Sequence, residues 1–106
     1  MVGTPDMVDT SAVKPIYHLV EAVQRSLSSP KFFVPSLEAR MSLCRGDFAK
    51  LIFNNEERMW VVVKEIEGEG QYVGELRNHP VVVDTVRYGD EIRFQARHVA
   101  NISSEN

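Results

Sequence analysis

The chain has 106 residues, 12 basic and 15 acidic, with a net charge of −3, 43% hydrophobic and 25% charged. These values describe one globular domain. They exclude two domains, disorder throughout, and nucleic-acid binding through a global excess of Lys and Arg. A single cysteine, Cys44, forms no intrachain disulfide and favours a reducing compartment. No apolar run approaches the roughly 18–20 residues of a membrane span, and the first residues lack the basic and apolar regions of a signal peptide, so a cytoplasmic protein is expected.

Residues 1–13, rich in Gly, Thr, Pro, Asp and Ser, read as a flexible lead, and residues 14–102 as one α+β domain. Ile16, Leu19, Val20, Val23 and Leu27 recur at three- and four-residue spacing, which predicts an amphipathic helix over 15–28. Pro15 suits its first turn, and Ser28-Ser29-Pro30 ends it. Residues 31–35 read as a short extended stretch. Ser36 then caps a helical turn from Leu37 to Met41, and Arg45-Gly46-Asp47 marks a turn.

From Phe48 the pattern changes to strands. Ala49, Leu51 and Phe53 face one way, and a hairpin loop follows at Asn54-Asn55-Glu56-Glu57. The run Met59-Trp60-Val61-Val62-Val63 is apolar on both faces, as in a central strand or a sharply curled one. Gly68-Glu69-Gly70 turns the chain into a strand over Gln71 to Leu76, where Gly74 suggests a bend or bulge. Arg77 to Pro80 reads as a loop, Val81-Val82-Val83 as a short strand, and Tyr88-Gly89-Asp90 as a turn. Ile92, Phe94 and Ala96 alternate with Glu91, Arg93, Gln95 and Arg97 in the last long strand. Val99 to Ile102 closes the domain, and residues 103–106 form a polar tail. Short twisted strands joined by tight turns coil, so the expected fold is a strongly curved antiparallel sheet of about five strands. We expect it to form an SH3-like, partly open barrel with the helix packed on it.

Several of these segments carry a resemblance. They are Gly46-Asp47-x-x-Lys50-Leu51-Ile52-Phe53, Glu57-Arg58-Met59-Trp60-Val61, Tyr72-Val73-Gly74-x-Leu76-x-Asn78-x-Pro80-Val81, Tyr88-Gly89-Asp90-x-Ile92-x-Phe94 and His98-Val99-x-Asn101-Ile102. With Glu65-Ile66-x-Gly68 and the lead-in Pro35-Ser36-x-Glu38-x-Arg40, they resemble the YegJ-like family of bacterial domains of unknown function, over roughly residues 34–102. The resemblance implies a small bacterial domain with a sheet-rich core. It implies no reaction and no catalytic residues.

The chemistry-bearing residues are sparse. His18, on the predicted helix, reads as a surface histidine. His79 and His98 are far from other ligands and read as turn-bonding groups, so no metal and no cofactor are expected. Cys44 reads as a small buried or half-buried thiol. Glu56 and Glu57, and Glu65, Glu67 and Glu69, fall at hairpin ends and read as solvated charges that discourage edge pairing. Folding could gather Lys31, Arg40, Arg45, Lys50 and Arg58 into a basic patch, although a mixed solvated surface is the plainer reading. Trp60, Tyr72, Arg77, Asn78, His79 and Tyr88 form the candidate binding constellation, a shallow groove at one loop edge. The plainer reading puts Trp60 in the core and makes Asn78 and Pro80 turn-formers.

The expected role is a non-enzymatic binding module with a protein or peptide partner and no membrane or nucleic-acid contact. The alternative is a small enzyme or accessory subunit using His79 with Asp84 or Asp90. A homodimer through the helix stripe is a further possibility.

Overall fold

The computed structural model describes residues 17–29 and 31–103. The expected lead at 1–13, the predicted helix start at Pro15 and Ile16, Pro30, and residues 104–106 of the tail lie outside them. The elements in chain order are α1 (Ala22–Ser28), α2 (Leu37–Met41), β1 (Phe48–Phe53), β2 (Glu57–Gly68), β3 (Gln71–Leu76), β4 (Glu91–Gln95), a 3-10 turn (Ala96–His98) and β5 (Asn101–Ser103). The strands form one antiparallel sheet in the order β4-β3-β2-β1-β5, an α+β arrangement.

The strand alternation places the core. Ala49, Leu51 and Phe53 of β1 share a face with Met59, Val61 and Val63 of β2, Tyr72 and Leu76 of β3, and Ile92 and Phe94 of β4, and all are buried. β2 lies centrally, and Val62, pointing the other way, is also buried, as its two-faced apolar run predicts. The β1–β2 hairpin turns through Asn54 and Asn55, both with positive φ, a conformation asparagine tolerates better than most residues. β2 and β3 lose register between Val63 and Glu65, directly after the Val63–Gly74 pair. A Cβ on Gly74 would lie 2.4 Å from Val61 Cγ1 and 2.6 Å from the Val62 carbonyl oxygen, so close strand packing is what requires glycine there.

The sheet curls without closing. β4 and β5 are its two edges, yet residues 96–100 alone connect them. In a flat sheet these edges would stand roughly 19 Å apart, at about 4.8 Å per strand. A link that includes a 3-10 turn rising about 2 Å per residue falls short of that. Tyr17 spans the concave side in the same way. Its ring packs 5.5 Å from that of Phe53 on β1, and its hydroxyl accepts the Arg93 N–H of β4 at 3.3 Å. The β4 edge is capped at a second point, where His98 Nδ1 accepts the Gln95 N–H at 3.0 Å. The β4 and β5 edges are not hydrogen-bonded to each other.

The N-terminal helix is shorter than its periodicity predicts. Residues 17–20 are extended and lie along the end of β1. Leu19 bridges Phe53, the Val20 N–H donates to the Ile52 carbonyl at 3.0 Å, and His18 exchanges two hydrogen bonds with Asn54. His18 is therefore an exposed residue of a sheet-edge segment and not of a helix. Pairing with β1 satisfies backbone groups that an isolated helical turn would leave to solvent. The predicted stripe splits accordingly: Leu19 is buried, Val20 and Val23 are half-buried, and Leu27 is 77% exposed. Ala22, not part of that stripe, is the buried contact of α1.

The turn at α2 forms as predicted, with Ser36 Oγ accepting the Ala39 N–H at 3.1 Å. Cys44, expected to be buried or half-buried, is exposed, because its neighbour Leu43 takes the inward position. Arg40 also departs from expectation and cannot join a surface patch. It is buried, with Nε donating to the Pro35 carbonyl at 2.8 Å and Nη1 to the Ala96 carbonyl at 3.3 Å.

Candidate functional site

The segment between β3 and β4 is a long connection with no regular structure, and it is pinned at several points. At its base, the Arg77 N–H donates to the Trp60 carbonyl at 2.9 Å, and Asn78 Oδ1 accepts the Trp60 N–H. At its far end, Gly89 donates to the Leu76 carbonyl at 2.7 Å, and Asp90 Oδ2 accepts the Arg87 N–H at 2.9 Å. Val83 and Val86 insert into the core at 3% exposure each.

Val81-Val82-Val83 is not a strand. Its three successive N–H groups converge on one carboxylate: Glu57 Oε2 accepts from Val81 at 2.7 Å, and Oε1 accepts from Val82 and Val83 at 2.9 Å each. Three donors aimed at one anion outweigh a ladder that the adjoining strands do not offer here. The bonds from Val83 and Val81, opposed by partial burial and joined by the bond from Val82, hold the Glu57 carboxyl below its ordinary pKa of 4.5. Glu57 is thus no idle hairpin charge.

The clamp presents a distinctive surface. Val81 and Val82 stand 88% and 57% exposed. Beside them, the rings of His79 and Tyr88 stack at 4.7 Å with 18° between planes. His79, Asp84 and Tyr88 line the same open depression, together with Pro80 and Arg87. Of the two acids that could assist His79, Asp90 is engaged in its turn, while Asp84 is exposed.

Of the six residues in the candidate constellation, His79 and Tyr88 meet at the loop, and Arg77 and Asn78 anchor its base. Trp60 is half-buried behind that base, with Lys50 Nζ 5.0 Å from its ring centroid, so it is neither fully core nor open. Tyr72 is elsewhere. It is a core residue whose hydroxyl donates to the Arg40 carbonyl at 2.7 Å and accepts the Leu43 N–H at 3.4 Å, with its ring 5.3 Å from Phe94. Burial raises its phenol pKa. Its position on the core face of β3 follows from the alternation of that strand, which places it opposite Phe94.

Sequence reasoning missed Glu57, Val81 and Val82. The available signal was the sequence around the valine run, with Pro80 before and Asp84 after and no alternation of polar residues. Nothing in the sequence pointed to Glu57 as its partner. Among the described residues, no group of three or more His, Cys, Asp or Glu side chains gathers as metal ligands would, and no helix is long and apolar enough to cross a membrane. Comparison with family models, curated proteins and solved structures gives no match to this chain.

Proposed function

We propose that this chain is a non-enzymatic protein-interaction module whose contact surface is the loop from Arg77 to Asp90, and that it takes an apolar segment of a protein partner. We read its curled sheet as an SH3-like, partly open barrel, and the chain as a YegJ-like bacterial domain. The observation that carries the reading is the exposure of Val81 and Val82 on a backbone fixed by the Glu57 carboxylate. An apolar pair on a loop already ordered avoids most of the entropy cost that a mobile loop incurs on binding. The stacked His79 and Tyr88 rings add an amphipathic wall with few torsions to freeze.

The test is selection of displayed peptides against the whole chain, with counter-selection against the Val81→Ser, Val82→Ser double variant. Binders with apolar anchors that lose affinity at least tenfold on the variant, and that shift the amide resonances of residues 79–88, support the reading. Binders indifferent to the two valines, or none at all, overturn it.

A further inference from the structure

A second surface lies on the convex face of the sheet, away from the core. Antiparallel register puts Lys50 directly across from Trp60, and Arg58 across from Ile52, in adjacent rows of β1 and β2. Cross-strand partners share a face, so these four side chains lie opposite Ala49, Leu51, Met59 and Val61. Lys50 Nζ sits 5.0 Å from the Trp60 ring centroid. Arg58 lies 5.9 Å from the Phe32 ring, and Arg25 of α1 lies 5.7 Å from the same ring. Three cations are thus held against two aromatic rings.

None of these cations has an acidic partner among the described residues. The ion pairs there use Arg45, Lys64, Arg77 and Arg93. Arg25 hydrogen-bonds the neutral Asn55 side chain. Glu21, which lines the same cleft, is not within ion-pair distance of it. In a chain of net charge −3, this is a local concentration of unneutralised positive charge. Two guanidiniums over one ring repel each other, and an incoming anion relieves that repulsion.

We propose that this face receives an acidic, extended segment of a protein partner, with carboxylates on alternate residues. The proposal goes beyond the loop surface and does not depend on it. The rows of Arg58 and Lys50 are two residues apart along the strands, about 6.8 Å. Alternate residues of an extended peptide have that same spacing. The chemistry favours a peptide over nucleic acid because each ring already carries a cation, which competes with a base for stacking. Three cations also neutralise few phosphates, and phosphate affinity accumulates with their number.

The experiment uses the full chain and a fluorescein-labelled octapeptide of alternating Ser and Glu, followed by anisotropy at low and at 0.2 M salt. Trp60, the single tryptophan, reports independently through its emission. The acidic peptide binds, its Ser/Gln counterpart does not, and Trp60 emission changes on titration. Lys50→Gln and Arg58→Gln each weaken binding three- to tenfold. Arg45→Gln, which removes an exposed charge already paired with Glu65, leaves binding within twofold. Failure of the acidic peptide to bind, equal binding by all three variants, or tighter binding of an oligothymidylate of equal charge each overturns the proposal.

Discussion

Replacing Glu57 tests the central feature of the loop directly. Hydrogen bonds to a charged acceptor contribute about 1.5–3 kcal/mol each where they are shielded. Here three share one carboxylate at a solvent edge, where water screens and competes. Discounted for that, Glu57→Ala costs about 2 kcal/mol in all, or about 8 °C in Tm for a domain of this size. Glu57→Gln keeps one acceptor oxygen but turns an NH2 donor toward backbone donors, so it recovers less than half of the loss. The cost also depends on pH. The folded carboxyl titrates below its ordinary value, so its contribution is complete above that value and is lost as pH falls through the lower folded pKa. Urea denaturation across pH 3–7 and hydrogen exchange at residues 81–83 measure both effects. If the amides of Val81, Val82 and Val83 exchange as slowly in the alanine variant as in the parent, the carboxylate is not what holds this loop.

Three further outcomes follow from the core and the β4 edge. Gly74→Ala forces a methyl against Val61 and the Val62 carbonyl and destabilises by about 1–3 kcal/mol, seen as a lower urea midpoint at unchanged slope. Tyr72→Phe removes the bond to the Arg40 carbonyl and the weaker one from Leu43, for a loss of about 1–2 kcal/mol by the same assay. His98, desolvated by burial and beside Arg97, has its pKa pushed down to about 4 from 6.5. The unfolded chain therefore binds the proton first. The His98 contribution is intact above pH 6.5 and disappears as pH falls toward 4, and an NMR titration of its ring protons locates the midpoint.

The sheet was legible because its partners are local. Alternation in Phe48–Phe53 and Glu91–Gln95, and the turn residues between strands, determine the hairpins without knowledge of distant contacts. The failures all involve partners far apart in the chain. Residues 17–20 satisfy a helical period, but the end of β1 offers them backbone bonds more than 30 residues away. Val81 to Val83 satisfy strand propensity, yet they bond to a carboxylate at least 24 residues earlier. Arg40 has the sequence signature of a surface cation, and only the carbonyls of Pro35 and Ala96 make its burial tolerable. The members of the candidate constellation differ in how local their signals are. Asn78 and Tyr88 advertise turns, whereas the inward register of Tyr72 depends on which face of β3 meets the core.

The two caps on β4 have a consequence for ageing in acid. Tyr17 and His98 occupy N–H groups that would otherwise template a foreign strand. The imidazole accepts the Gln95 proton only while neutral, so one of the two guards is withdrawn in solutions more acidic than about pH 4. Pairing of this strand with a second copy is therefore expected to be easier there than at neutrality, which thioflavin fluorescence across that pH range checks.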